Sequence, residues 1–347
     1  MPQHRPQRTL RMGVIGCADI AIRRILPVLA AHDGVELVAV ASRDRTRAEQ
    51  VGAAFGCCGV AGYATLLQRD DVDAVYIPLP PGMHHEWALR ALTAGKHVLV
   101  EKPLSERYAH TVELLSTAKQ LGLVLAENFM FLHHSQHRAV RALIEQDVLG
   151  ELRVFSGSFA VPPLAPSSFR YQSHLGGGAL LDVGVYPLRA AQLYLPGELD
   201  VLGACLRVDE RTGVDVAGSA LLCDAQGRTA QLDFGFEHSY RSTYSLWGSR
   251  GRLSVRRAFT PPEQLRPVVR IEQQDVVTER SLPEDNQVVN ALDAFVRAAL
   301  GDVGAAPAPE AMLRQAALVD AVRRVAKVVG GTAEQRAVLA GLGAARV

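Results

Sequence analysis

A short apolar strand, one tight glycine and a helix follow one another near the start of this chain, and the alternation of strand with helix then runs through the first 125 residues. Arg11 to Ile15 reads as a strand, Ile20 to Ala31 as a helix, Val35 to Ala41 as a strand and Arg45 to Phe55 as a helix. Ala74 to Ile77, Val98 to Val100 and Val124 to Ala126 are further strands, with helices at Met83 to Ala94 and Ala109 to Gln120. Strands separated by helical crossovers pair in parallel, so the pattern predicts a doubly wound α/β sheet.

The texture changes after a helical stretch at Arg138 to Gln146. Alternating patterns dominate from Leu152 to Val161 and from Asp200 through Val277, with hairpin breaks at Asp224 to Gly227 and Gly248 to Gly251. That predicts an α+β second domain built on a mostly antiparallel open sheet. Helical patterns return at Val288 to Leu300, with Phe295 and Val296 on one face, and at Ala311 to Val328. The expected domains are 1–128, a Rossmann dinucleotide-binding unit, and 129–347, for substrate and oligomerisation, with the C-terminal helices free to pack back on the first. A length of 347 residues, 48% of them hydrophobic, is enough for two cores.

Composition excludes several function classes. A formal net charge of +1 with Lys and Arg dispersed gives no basic stripe for nucleic acid, and the basic head His4 to Arg11 reads as a solvated tail. No run reaches the roughly 18 apolar residues a bilayer span needs. Five cysteines without a Cys-x-x-Cys suggest neither a disulfide framework nor a zinc site, which fits a reducing cytoplasm. The adjacent His84 and His85 diverge and have no carboxylate spaced to join them, so no metal is expected.

Chemistry gathers at strand ends. Glu101-Lys102-Pro103 closes the apolar strand Val98 to Val100, roughly 85 residues after Gly16, which puts an ammonium where an oxidoreductase needs a proton donor. The turn Gly16-Cys17-Ala18-Asp19-Ile20-Ala21 keeps the first glycine of G-x-G-x-x-G/A and the allowed alanine at the third position, but Ala18 narrows the backbone's approach to a pyrophosphate. At the end of the second strand, where NAD-specific sites present an acid roughly 20 residues on, the chain has Ser42-Arg43. A hydroxyl beside a guanidinium suits a 2′-phosphate, so NADPH is favoured over NADH; Asp44 as a ribose ligand is the alternative.

These stretches resemble the glucose-fructose oxidoreductase, inositol dehydrogenase and rhizopine-catabolism superfamily. The likeness rests on Gly13-Val14-Ile15-Gly16, Val75 to Pro80, His84, Gly95-Lys96-His97-Val98, Glu101-Lys102-Pro103 and Gly176-Gly177-Gly178-Ala179-Leu180-Leu181-Asp182-Val183-Gly184. Ala126-Glu127-Asn128-Phe129-Met130-Phe131 and Tyr186 look most like sugar 3-ketoreductases acting on dTDP-linked deoxyhexoses in antibiotic-sugar pathways.

The resemblance implies an NADPH-dependent reduction of a carbon-3 ketone, with the sugar bound between the domains, Lys102 as acid and the Lys102–Pro103 bond cis. Asp182 and Tyr186, four apart, would share a helix face, although Pro187 follows at once. Many relatives carry histidine at position 186; here a phenol is either a second proton donor or the group that orients the sugar. Tyr63, Leu79, His84, Glu101, Asn128, Arg170 and Asp182 match positions at the dinucleotide, Phe169-Arg170-Tyr171 would form a lip, and the triple glycine is either a phosphate nest or a flexible turn. A homo-oligomer through the C-terminal sheet is implied. The competing readings are an NAD(P)-dependent dehydrogenase of a free sugar or inositol, and a sugar sensor without chemistry, against which the retained Lys102 speaks.

Overall fold

The computed structural model describes residues 9–342 and divides them into two compact units. Unit 1 comprises the described residues through Ser105, His110–Met130 and Val288–Pro309; unit 2 comprises Glu106–Ala109, Phe131–Gln287 and the chain from Glu310 onward. Of the basic head, residues 4–8 lie outside the described residues. Arg11 is no tail residue: it belongs to the first strand and its guanidinium grips the Asp73 carboxylate from two nitrogens, at 2.9 and 2.7 Å.

Unit 1 is built on six strands, β1 (Leu10–Ile15), β2 (Val35–Ser42), β3 (Cys58–Ala61), β4 (Ala74–Ile77), β5 (His97–Glu101) and β6 (Leu125–Asn128), ordered β3-β2-β1-β4-β5-β6 and parallel throughout. All four residues of β4 are buried, as a parallel strand covered on both faces requires. The crossovers are α1 (Leu26–Ala31), α2 (Arg45–Phe55), α3 (Tyr63–Leu67), α4 (Pro81–Thr93) and α5 (Tyr108–Leu121). The chain order reverses between β1 and β4, so their carboxyl ends form the switch point where such sheets bind ligands. β3 and α3 escape the sequence reading because Cys58-Gly59 and Gly62 break any strand or helix period.

Unit 2 holds α6 (Ser135–Glu145), β7 (Leu152–Ala160), α7 (Val185–Tyr194), β8 (Leu199–Val208), β9 (Asp215–Asp224), β10 (Thr229–Gly235), β11 (Arg241–Gly248), β12 (Arg252–Arg256), β13 (Val268–Gln273) and β14 (Val276–Ser281). Next comes α8 (Gln287–Ala299), then α9 (Pro309–Val325), β15 (Ala326–Gly330) and α10 (Ala333–Leu342). The nine-stranded sheet runs β14-β13-β12-β11-β7-β10-β9-β8-β15 and is mixed: β7 pairs β10 in parallel at its centre and β15 pairs β8 in parallel at its edge. Along β10, Ala230, Leu232 and Phe234 are buried while Gln231 and Asp233 between them are exposed, the alternation of a sheet covered on one face.

The helix expected to reach Val328 stops at Val325. Lys327-Val328-Val329 instead extends along β8, because β-branched residues fit a pleated edge and Gly330 and Gly331, with φ of +75° and +65°, end the run. Helix α8 contributes Val288, Leu292, Phe295 and Val296, one stripe at helical spacing, to the unit 1 core beside Met12, Val14, Leu29 and Val40. Two helices open with a π turn, Ala21–Ile25 ahead of Pro27 and Leu180–Gly184 ahead of Pro187. Proline has no N–H and crowds the carbonyl four residues back, and widening the preceding turn relieves that conflict.

Candidate functional site

Gly16 ends β1 with φ +118°, and a Cβ there would stand 2.8 Å from Leu79 Cδ2. A glycine is therefore required at the switch point, and the helix beyond it turns its unpaired first N–H groups toward the same end of the sheet. Ile22 already donates to Ala18 O at 3.0 Å, and the Asp19 carboxylate pairs with Arg23 on the surface, which removes its negative charge from a phosphate's path. Cys17 is half-buried, and burial pushes its thiol pKa up.

At the end of β2 the structure separates the two candidate ribose ligands. Asp44 caps α2, accepting from Arg47 N at 3.1 Å, and its own N–H donates to Ser42 Oγ at 3.2 Å. Arg43 is exposed and lies near Tyr63, whose hydroxyl pKa is pushed up by burial and drawn partly back by the guanidinium. Tyr63 in turn packs edge-on against Trp87 at 5.1 Å. An arginine at this strand end, with the local carboxylate spent elsewhere, fits a 2′-phosphate, and with the Gly16 cradle it makes unit 1 a match for NADPH.

Lys102 follows β5 and is half-buried, and its bond to Pro103 is cis. The turn that carries it is pinned from two sides. Leu104 N donates to Glu127 Oε1 at 2.8 Å, and His84 bridges Pro103 O (Nδ1, 2.7 Å) and Leu79 O (Nε2, 2.6 Å). His84 is wholly buried, with a pKa lowered to about 4 chiefly by burial, so at neutral pH its single ring proton serves one of the two carbonyls. His84 thus braces the ends of β4 and β5, with no accessible surface of its own. Its neighbour His85 turns to Glu113 Oε2 at 2.8 Å instead. Glu101 is also buried, accepting from Tyr76 Oη at 2.8 Å and Asn128 Nδ2 at 2.7 Å; burial raises its pKa and these donors and the Lys102 charge oppose the rise.

In unit 2, Arg170 Nε donates to Asp182 Oδ2 at 2.6 Å, and its guanidinium lies 4.7 Å from the Phe169 ring centre. Tyr186, 8% exposed, sits among Phe159, Phe131 and Phe259 at ring-centre distances of 5.0, 5.8 and 5.7 Å. The triple glycine between them is neither a nest nor a flexible turn. Gly176, Gly177 and Gly178 spend their N–H groups on Ser173 O, Gln172 O and Arg170 O, and a Cβ on Gly177 would stand 2.6 Å from Arg170 O.

Asp215 holds this segment, and the sequence reading missed it. Its Oδ2 accepts from Leu180 N at 2.6 Å, and a Cβ on Gly178 would stand 2.3 Å from its Oδ1. Burial raises the Asp215 pKa, while the Leu180 and Ala179 amides and the buried Arg323 stabilise the charged form. The available signal was an acid flanked by Val214 and Val216 at the start of a strand, where a buried carboxylate needs donors. Gln315 fixes the same helix from further away, donating to Val185 O at 3.0 Å.

Among the described residues no cluster of His, Cys, Asp and Glu is placed to hold a metal, and no helix is long and apolar enough to cross a membrane.

A family profile described as an oxidoreductase family with an NAD-binding Rossmann fold matches residues 10–129, and a GFO/IDH/MocA C-terminal domain matches residues 137–254. The chain is 50% identical over 322 residues to the dTDP-3,4-didehydro-2,6-dideoxy-alpha-D-glucose 3-reductase of Saccharopolyspora spinosa, covering 91% of this chain and 97% of that protein. To the Streptomyces violaceoruber protein of the same name it is 52% identical over 331 residues, covering 93% and 97%. The crystal structure of a 3-ketoreductase from Actinomadura kijaniata with NADP and TDP-benzene superposes with a TM-score of 0.91 at 50% identity, covering 94% of this chain and 100% of that one. Agreement this deep along nearly the whole length means that the chain belongs to the GFO/IDH/MocA oxidoreductase family.

Proposed function

We propose that this protein uses NADPH to reduce the carbon-3 ketone of a dTDP-linked keto-deoxyhexose. The observation that carries the reading is about half identity over nine-tenths of the chain to reductases of that one substrate type. NADPH, when bound, supplies the hydride. The chain's part is to hold and deliver a proton: Lys102, fixed by the His84 and Glu127 braces, carries it on Nζ and releases it to the oxygen of carbon 3 as charge develops there. Tyr186 in its aromatic cage is a second proton donor or orients the sugar, and Arg170, paired with Asp182, steadies the segment before it. Gly16 to Ile20, Ser42, Arg43, Tyr63, Leu79, Asn128 and Arg170 are proposed to line the dinucleotide.

Incubation with NADPH and dTDP-3,4-didehydro-2,6-dideoxyglucose should consume the cofactor. Higher kcat/KM on myo-inositol or a free aldose would replace the reading with the dehydrogenase. Tight NADPH binding with turnover of none of them would replace it with a sensor.

Two coarser features accompany the proposal. The thiols of Cys17, Cys57, Cys58, Cys205 and Cys223 are free, which supports a reducing, cytoplasmic setting. Trp247 and Leu221 stand exposed on one face of the nine-stranded sheet, at 59% and 41%, which supports pairing with a second copy. Light scattering on a Trp247→Glu variant tests this; an unchanged mass would refute that contact.

A further inference from the structure

Arg323, on α9, is a buried cation that the proposed reduction leaves without a task. Its Nη1 donates to Glu106 O at 2.6 Å, and Glu106 lies four residues past Lys102 in the chain. Three residues earlier on α9, Asp320 Oδ2 accepts from Tyr108 N, the first amide of α5, at 3.1 Å. The two side chains hold the backbone of Glu106 to Tyr108 at two points. The link that leads away from the Lys102 turn is therefore fixed from α9.

The same guanidinium serves a second turn. Asp215 accepts from Leu180 N and presses on Gly178, and a carboxylate taken out of water needs a compensating charge as well as donors. Arg323 is the cation that favours its ionised form. Burial lowers the Arg323 pKa in return, while Asp215, Asp320 and Glu106 hold its charge in place and Arg107 opposes them. Leu180 opens the π turn that runs into α7, and Tyr186 is the second residue of that helix. Helix α9 reaches α7 directly as well, because Gln315 donates to the carbonyl of Val185, the residue before Tyr186.

Stability alone does not select such a network. Arg323 Nε and Asp320 Oδ1 are buried without a hydrogen bond, and Oδ1 stands 3.8 Å from Arg323 Nη1. Unmatched polar atoms and desolvated charges both cost free energy, and apolar side chains of similar volume often serve stability as well or better. A charge kept at that cost points to a use beyond packing. What Arg323 has and an apolar side chain lacks is a planar fork of donors with a permanent charge, able to act on two turns at once.

We propose that Arg323 is a positioning residue for the reduction, a single guanidinium that sets both the segment following Lys102 and the glycine corner leading to Tyr186. The inference rests on the proposed roles of Lys102 and Tyr186 and adds the residue through which α9 acts on each. Arg323 is itself buried, and it works through Glu106 O on one side and Asp215 on the other.

The test uses the full-length enzyme and two readouts. In hydrogen exchange followed by mass spectrometry, without any ligand, Arg323→Gln should speed exchange in the peptides covering 106–110 and 178–183 together, whereas Asp215→Asn should speed it only in the second. In steady-state reduction of the keto-sugar, Arg323→Gln should lower kcat by about 10- to 100-fold, because a small misplacement of reacting groups is that expensive, and leave the NADPH dissociation constant within about threefold. Arg323→Lys keeps the charge without the fork and should recover part of kcat. Combined with Asp215→Asn, Arg323→Gln should cost less than the product of the two single losses, since both act on one corner. A fall in Tm with kcat per folded molecule unchanged, or faster exchange confined to one of the two segments, would overturn the proposal. Should Arg323→Gln fail to fold, Arg323→Lys carries the same comparison: lowered kcat with faster exchange in both segments supports the role, and unchanged kcat overturns it. An unmodified enzyme that reduces no dTDP-sugar would sink the proposed reaction, and the exchange pattern would still decide whether one guanidinium holds both segments.

Discussion

Gly16 in unit 1 and Gly178 in unit 2 both hold positive φ, +118° and +126°, and both stand just before a helix that opens with a π turn. Their surroundings differ. Gly16 faces the end of the Leu79 side chain, and the amides after it are a helix's unpaired first turn. Gly178 faces the Asp215 carboxylate, and the amides of Gly176 to Gly178 are already bonded to carbonyls of the preceding loop. The first turn leads into a helix terminus, whereas the second spends its donors on the carbonyls of the loop that precedes the Asp182–Tyr186 helix. Glycine content alone therefore does not distinguish a phosphate cradle from a packed corner; the fate of the N–H groups does.

The largest effect expected from this contrast is catalytic. If the proton comes from unit 1, Lys102→Ala should lower kcat by about 10²- to 10⁴-fold at saturating NADPH, while Tyr186→Phe should cost less than about tenfold. Stopped-flow single turnovers with the keto-sugar would measure both. The reverse order would move the proton source to unit 2.

Acid should then weaken both units, by unequal amounts. His84 in unit 1 and His137 in unit 2 are fully buried, and burial lowers their pKa values from 6.5 to about 4 and about 3. Between 6.5 and those folded values the unfolded chain binds the extra proton, so stability is complete above 6.5 and is lost as pH falls. The full loss is roughly 3 kcal/mol for His84 and roughly 5 kcal/mol for His137, whose Nδ1 meets the Tyr194 and Tyr244 hydroxyls. Thermal unfolding followed from about pH 7 to about pH 5 should show Tm falling, with a shallower fall in His137→Gln. A flat Tm would show that neither ring stays neutral.

What the sequence disclosed follows the same division. The parallel sheet, its switch point, Gly16 and Lys102 were legible because their determinants are local: an all-apolar strand such as β4, then a turn, then a helix. The Arg43-for-acid substitution was legible too, but the commitment of Asp44 to capping α2 needed coordinates. In unit 2 the residues that shape the site are far apart in the chain. Asp215 lies 35 residues from the amide it accepts, and Gln315 lies 130 from Val185. No periodicity carries such pairings. β15 was misread for a related reason, since an Ala/Val/Lys run suits a helix or an edge strand until the partner β8 decides.

Alanine at each glycine sharpens the comparison at an intermediate scale. Strain from positive φ costs about 1–3 kcal/mol in both places, but the Leu79 methyl can swing aside, whereas Asp215 is anchored by Leu180 N. Gly178→Ala should lower Tm and kcat/KM for the sugar and reach the NADPH dissociation constant only through Arg170, by a small factor. Gly16→Ala should do the opposite, raising that constant with a smaller change in Tm. Identical responses would mean that the two turns do the same job after all.

The smallest effect expected belongs to Arg43, and it isolates one bond. The guanidinium is exposed, so its hold on a 2′-phosphate is screened by water and salt and should amount to about a tenfold preference. Fluorescence titration of Arg43→Ala should show NADPH binding weakened by about that factor and NADH binding unchanged, because only NADPH carries the phosphate. The gap should narrow as ionic strength rises. If NADH weakens equally, Arg43 acts through its neighbourhood with Tyr63 rather than through the phosphate, since that neighbourhood is the same for either cofactor.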